Sequence, residues 1–342
     1  MTRYFEDFPA GLVLEYGAYE VTREEIIHFA QQFDPQPFHL DEEAGRRSLL
    51  GGLSASGWHS ASISMRLHCD HWLNETNAIG SPGIPEMKWL KPVRPGDVLR
   101  IRARVDSARV SQSRPGLGLV EWSYLLLNQR DEELMKIRGI LMTATRDSAI
   151  QPAGLLARNP APVLAATPAA AIDDPASLPD DDGLLTAFFE DVRIGQTIDA
   201  GTTTFDTSSI IAFATAYDPQ PMHIDEVAAS AGVYGALIAS GWHTASACMR
   251  RLVDTRALYT REALRRGLRT GAKGPSPGFS NLKWLKPVFA GDTLHFSMTP
   301  VEKRRTSRKD WGIVFTQFAG INQLGEKVYE YQSASFWPFR DA

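Results

Sequence analysis

One stretch of this chain returns almost unchanged: Asp34-Pro35-Gln36-Pro37-Phe38-His39 is matched 184 residues later by Asp218-Pro219-Gln220-Pro221-Met222-His223. A second phrase, Ala55-Ser56-Gly57-Trp58-His59, comes back at the same offset as Ala239-Ser240-Gly241-Trp242-His243. A period this long means two copies of a whole domain, since stacked solenoid repeats run to a few tens of residues. A chain of 342 residues is also longer than one ordinary core, so two domains are expected on size alone.

The first copy opens at Phe5-Glu6-Asp7-Phe8 and the second at Phe189-Glu190-Asp191-Val192. Between them, Pro152, Pro160, Pro162, Pro168, Pro175 and Pro179 interrupt an Ala-rich stretch with little periodicity. We therefore expect domains over 1–150 and 186–342, joined by a semi-extended linker over 151–185. In each copy a helix is expected first, Thr22 to Phe33 and Asp206 to Tyr217, with Thr22 as N-cap and Glu25 at the capping-box position. The proline loop follows, then a short polar helix from about Asp41, then a longer helix from Gly57 to about Leu73, rich in small and apolar residues. Strands are expected over Met87–Val93, Val98–Val105, Leu119–Leu127 and Met135–Thr145, and over Asn281–Val288, Thr293–Pro300, Ile313–Ile321 and Val328–Phe336. The turns at Gly96 and Gly291 lie 195 residues apart, so the second copy carries 11 extra residues, placed around Tyr259 to Pro277. A long buried helix followed by an antiparallel sheet is an α+β domain in which the sheet wraps the helix.

Composition narrows the function. A net charge of −4 gives no broad basic surface for nucleic acid or an acidic membrane. Cys69 and Cys248 fall at non-equivalent places in the repeat, which argues against a disulfide framework. The start, Met1-Thr2-Arg3-Tyr4-Phe5, lacks the apolar core of a signal peptide, and no apolar run approaches membrane-spanning length. A cytoplasmic protein is expected.

These phrases, in this order, resemble the MaoC-like hydratases and dehydratases, the (R)-specific enoyl-CoA hydratase group of the hotdog fold. The resemblance covers both copies and leaves out the linker. It implies tandem hotdog domains forming an intramolecular double hotdog, with pockets near the junction of the halves. It also implies catalytic residues Asp34, His39 and Gly57, and again Asp218, His223 and Gly241. In each set the glycine stands 23 residues after the Asp, where the family's oxyanion-hole glycine opens the central helix. Gln36 and Gln220 stand where the family usually has Asn, and Ser56 and Ser240 where it often has His. The implied reaction is reversible hydration of a 2-enoyl-CoA to an (R)-3-hydroxyacyl-CoA, with no cofactor beyond the coenzyme A of the substrate. Ser56, Ser240, Lys91 and Lys286 are candidate substrate-binding residues. Association of two chains into a homodimer is an open expectation.

The residue types suit that chemistry. Adding water across the double bond of an enoyl thioester requires a base for the water, a proton for the α-carbon and a donor for the thioester oxygen. A His that titrates near neutrality, beside an orienting carboxylate, can move both protons. A helix-opening N–H can meet the enolate oxygen, and Gly permits close approach. Other readings stay open at this point. Asp34 and Asp218 can be turn starters. Gly57 and Gly241 can serve packing alone. His39 and His223 can be structural, and His-x-Asp is a poor metal signal, so no metal is expected. Lys88, Lys91, Arg94, Lys283 and Lys286 can meet coenzyme A phosphates or merely guard a strand edge. Trp89 and Trp284 read as packing residues, His59 and His243 as structural, and Asp41, Glu42, Asp225 and Glu226 as helix first-turn charges. A hotdog acyl-CoA thioesterase and a non-catalytic acyl-CoA binding protein are the rival functions.

Overall fold

Period-two burial along the later strands of each half creates two apolar sheet faces, and each must be covered. In the computed structural model, which describes residues 2–148 and 186–341, a long helix covers each one. The first half runs β1 (Val13–Glu20), α1 (Arg23–Phe33), α2 (Pro37–Leu40), α3 (Glu42–Arg47) and α4 (Gly57–His71). It continues through β2 (Ala78–Gly80), β3 (Gly83–Trp89), β4 (Val98–Val110), β5 (Leu117–Leu127) and β6 (Glu133–Ala144). The second half repeats the plan without a counterpart of β2: β7 (Ile198–Thr204), α5 (Thr207–Tyr217), α6 (Pro221–Ile224), α7 (Glu226–Ala231) and α8 (Gly241–Arg265). Its strands are β8 (Gly278–Trp284), β9 (Thr293–Arg305), β10 (Trp311–Asn322) and β11 (Lys327–Pro338). The expected linker lies outside the described residues.

All strands join one antiparallel sheet in the order β1-β4-β5-β6-β3-β8-β11-β10-β9-β7, with β2 on β6. The halves meet where β3 pairs with β8, Gly83 opposite Lys283 and Lys88 opposite Gly278. Gly83 and Gly278 have φ of +155° and +151°. A Cβ on either would sit 2.1–2.2 Å from a carbonyl oxygen of the facing strand, Leu282 or Met87. Only glycine lets the two sheets close at this seam. The double hotdog is thus one sheet with α4 and α8 on its concave side. Trp58 of α4 stacks on Phe279 of β8 at 5.1 Å and lies 6.5 Å from Trp242 of α8, tying the halves through a shared core.

Small residues explain how a sheet can wrap α4 so closely. Ser60, Ala61, Ser62 and Ser64 are all buried. Their hydroxyls are satisfied within the helix, Ser60 donating to Ser56 O, Ser62 to Trp58 O and Ser64 to Ala61 O.

Several expectations need correction. β1 and β7 went unread because each is an edge strand broken by a glycine register shift, at Gly17 and Gly201. β3 ends at Trp89 instead of reaching Val93. The Leu90 and Lys91 N–H groups both donate to the Leu134 carbonyl, and Pro92 has no N–H to continue the ladder. The second copy's extra residues go partly into α8, which has 25 residues against 15 in α4. The proline phrase is not fully extended either. Pro37 and Pro221 occupy the first turn of α2 and α6, where a missing N–H is harmless, so both histidines ride on a short helix.

Candidate active site

Asp34 caps the C-terminus of α1 and Asp218 that of α5, both with φ near −150° and ψ near +62°, a bend that turns the chain back toward the central helix. Pro37 then sets α2 so that His39 faces the same way. The outcome is a buried pair in each half: His39 Nε2 lies 3.5 Å from Asp34 Oδ2, and His223 Nε2 lies 3.5 Å from Asp218 Oδ2. All four side chains are at most 6 % exposed.

Hydrogen bonds fix the protonation pattern. His39 Nδ1 is 2.7 Å from the Ser54 carbonyl and His223 Nδ1 is 2.8 Å from the Ile238 carbonyl. A carbonyl only accepts, so Nδ1 carries the hydrogen and, in the neutral ring, Nε2 presents its lone pair beside the carboxylate. Each carboxylate is held at both oxygens. Ser56 Oγ donates to Asp34 Oδ2 at 2.6 Å and Gln36 Nε2 to Oδ1 at 2.9 Å. Ser240 and Gln220 do the same for Asp218 at 2.6 and 2.8 Å.

Ser56 and Ser240 were candidate substrate contacts. The structure instead places them behind the carboxylates, 1 % and 0 % exposed, where each also accepts from the backbone N–H of Trp58 or Trp242 as the helix N-cap. They position the acid and start the helix together.

Gly57 and Gly241 are the first residues of α4 and α8, and among the described residues their N–H groups donate to no acceptor. A Cβ on Gly57 would lie 2.4 Å from Trp89 Cε2, and one on Gly241 2.3 Å from Trp284 Cε2. Each indole N–H donates to the carbonyl of the glycine it covers, at 3.1 Å. Packing by tryptophan and a free amide therefore both require glycine here. Trp89 and Trp284 combine the packing role with a place on the cavity wall.

A cavity opens onto each set, about 310 Å³ at Asp34, His39 and Gly57 and about 350 Å³ at Asp218, His223 and Gly241. Each is walled by the central helix of the other half. Met249, Leu252 and Arg256 of α8 line the first, whereas Met65 and His68 of α4, with Trp72, line the second. The six are pairwise equivalent at the 184-residue offset. On the second cavity's matching wall the groups are uncharged, whereas Arg114 and Lys286 line it elsewhere. Trp72 Nε1 donates to Tyr16 Oη at 2.8 Å, and Tyr16 Oη shares a hydrogen bond with His68 Nδ1 at 2.6 Å. Burial then pushes the His68 pKa down to about 3, leaving an uncharged ring among Trp122 and Tyr124. In the first cavity the matching wall carries Arg256, whose pKa burial lowers to about 10.

Sequence reading missed the clamps between halves. Arg66 Nη1 donates to the Thr215 and Ala216 carbonyls at the end of α5, at 3.0 and 3.3 Å. Arg250 does the same to Gln31 and Gln32 at the end of α1, at 2.7 and 3.3 Å. Each arginine is aimed by an aspartate one helical turn on, Asp70 or Asp254. The repeated Met-Arg and Asp of both copies was the available signal. Cys69 Sγ also reaches Asp218 Oδ1 across the halves at 3.5 Å, and the position equivalent to Cys69 in the second copy is Val253.

The remaining candidates divide. Lys91 and Lys286 sit at the cavity mouths, paired with Glu132 and Glu326. Lys88 and Lys283 pair with Glu86 and Glu330 on the strands. Arg94 donates to the Leu50 and Leu53 carbonyls, so it braces the loop ahead of Ser54 and does not point to a phosphate. His59 stacks on Phe29 with Nε2 at 3.3 Å from Glu25, and His243 stacks on Phe213. Glu25 thus serves His59 and Tyr19 in place of a capping box. Asp41 and Asp225 cap α3 and α7, as the first-turn reading expected. Among the described residues no group of three His, Cys, Asp or Glu side chains is arranged to hold a metal ion, and no helix is long and apolar enough to cross a membrane.

Comparison with known proteins places this geometry. The MaoC like domain matches twice, at residues 11–120 and 189–316. The uncharacterized protein YdeM of Bacillus subtilis is 32 % identical over 94 residues, which is 28 % of this chain and 67 % of that protein. Mesaconyl-CoA hydratase of Cereibacter sphaeroides is 41 % identical over 54 residues, only 16 % of either chain. Among solved structures, a MaoC domain dehydratase from Chloroflexus aurantiacus aligns over 99 % of this chain and 98 % of its own, with TM-score 0.73 and 18 % identity. A Mycobacterium tuberculosis protein described as a double hotdog fold aligns over 98 % of both chains, with TM-score 0.70 and 15 % identity.

Proposed function

Because the chain belongs to the MaoC-like domain family, with one match in each half, we propose that it is a hydro-lyase hydrating 2-enoyl-CoA thioesters reversibly to (R)-3-hydroxyacyl-CoA thioesters, with one competent site per half. The observation that carries this reading is the buried carboxylate–imidazole pair facing a cavity opposite an unpartnered helix-opening amide, present twice with matching geometry.

In this mechanism one water lies within reach of both Asp34 Oδ2 and His39 Nε2. The carboxylate orients it and the imidazole takes its proton as the water oxygen bonds to the β-carbon. The electrons of the double bond move toward the thioester oxygen, which the Gly57 N–H meets at the positive end of α4. Collapse of the enolate draws the proton onto the α-carbon and restores the neutral imidazole. Dehydration is the reverse. Asp218, His223 and Gly241 act alike. Water adds across the double bond with no net change in oxidation state, so the reaction as written calls for no redox cofactor and routes no step through a metal. Lys91 and Lys286, at the mouths, are placed to meet the coenzyme A portion by exchanging their glutamate partners for phosphate.

The test is a spectrophotometric assay on a panel of 2-enoyl-CoA thioesters. Loss of the enoyl absorbance without release of free thiol supports hydration. Thiol release assigns a thioesterase instead, and binding without either change assigns a non-catalytic carrier.

A further inference from the structure

The two cavities share their chemistry but not their far walls, and one side chain makes most of the difference. Arg256 lies on α8 in line with Met249 and Leu252, spacings of three and four residues that put all three on one helix face. Arg256 lines the same cavity as Asp34, His39 and Gly57, on the wall supplied by the second half. It is partly buried, its Nε is sealed from solvent without a hydrogen-bond partner, and no carboxylate among the described residues forms an ion pair with it. Asp34 acts on it only at a distance, and both oxygens of Asp34 are already engaged by Ser56 and Gln36. An arginine left in this state is costly unless an anion completes it. At the equivalent position the other cavity has Trp72, hydrogen-bonded to Tyr16 and packed against Phe8 and Trp122.

We propose that the Asp34/His39 site selects acyl thioesters whose acyl chain carries a carboxylate at its far end, with Arg256 as the specificity-determining residue, and that the Asp218/His223 site takes uncharged chains. The planar fork of arginine suits a bidentate grip on such a carboxylate. At the position of Arg256 the second cavity has Trp72 and no cation; its own arginine, Arg114, lines it from the turn between β4 and β5 and is exposed. This assignment rests on the hydration reading for its kinetic form, but the recognition itself concerns binding.

The test uses the full chain. In an Asp218→Asn background, hydration is measured for a series of 2-enoyl-CoA thioesters ending in a carboxylate and for methyl-terminated partners of equal length. The account expects kcat/KM to favour the carboxylated partner at a matching length. Arg256→Leu should collapse that ratio by about 100-fold, the scale of losing a buried charge partner, while Arg256→Lys should keep part of it. Binding of saturated carboxyl-terminated acyl-CoA, methyl-terminated acyl-CoA and coenzyme A alone is measured in parallel, with thermal melting as the folding control. An Arg256→Leu protein that binds both acyl classes as the parent does, or that weakens coenzyme A itself equally, overturns the proposal. If no enoyl thioester is hydrated while the Arg256-dependent binding preference persists, the hydration reading falls and the recognition stands.

Discussion

The cavity at Asp34/His39 and the cavity at Asp218/His223 agree at the carboxylate–imidazole pair and differ on the wall that the other half supplies. The carboxylate–imidazole distance is 3.5 Å in both, and the serine-to-carboxylate distance is 2.6 Å in both. One wall carries Arg256, the other Trp72 and His68. The lesson lies in where those walls come from. Each half supplies its own carboxylate–imidazole pair, but the other half supplies part of the wall facing it. On the proposed reading, the substrate preference of one site is written in the other repeat, so the halves can diverge in specificity without disturbing either Asp–His loop.

The sharpest way to break this comparison is to silence one site at a time. Asp34→Asn should cost about 1000-fold in hydration of carboxyl-terminated substrates, within the range for general acid–base groups, and leave uncharged substrates nearly untouched. Asp218→Asn should do the converse. Equal losses on both classes in steady-state kinetics would show that the sites do not divide the substrates. Next in size, Gly57→Ala should lower turnover at its own site by about 100-fold, the scale of an oxyanion-hole donor, because the new Cβ must displace Trp89. Gly241→Ala should match it against Trp284. Unequal losses would place the amide's importance in one half only.

Smaller effects probe the supports. Ser56→Ala removes a helix cap and a carboxylate partner at once, and denaturant titration should find about 1–2 kcal/mol less stability. Ser240→Ala should disturb its carboxylate less, since Cys69 Sγ also donates to Asp218. The pH dependence separates the paired core histidines. Burial lowers the His243 pKa to about 3, below its unfolded value of about 6.5, so the unfolded chain binds the extra proton as pH falls. The contribution is complete above about pH 6.5 and declines below it. Between about pH 7 and pH 5.5 the loss should be about 1 kcal/mol, and His243→Phe should remove that part of the slope in denaturation curves.

Much of this was legible from the repeat. The offset of 184 residues implies two copies of one domain, and the repeated phrase sets Asp34 with His39 and Asp218 with His223. The helix starts at Gly57 and Gly241 were readable because Ser56 and Ser240 are good caps. What escaped depends on long-range geometry. Arg66 and Arg250 look like surface charges paired along their own helices until the halves dock and their guanidiniums reach the opposite carbonyls. Arg256 falls in an ordinary polar stretch of helix, and only the approach of the first half turns it into a wall. The edge strands β1 and β7 were hidden by Gly17 and Gly201, which break the alternation that marks a strand.

The most direct test of the central claim is hydration by the Asp34→Asn, Asp218→Asn double variant, assayed on enoyl thioesters of both tail types after circular dichroism and thermal melting verify its fold. The account predicts that a folded double variant loses turnover on every substrate while still binding coenzyme A thioesters. A folded double variant that hydrates either class at the parental rate would contradict it.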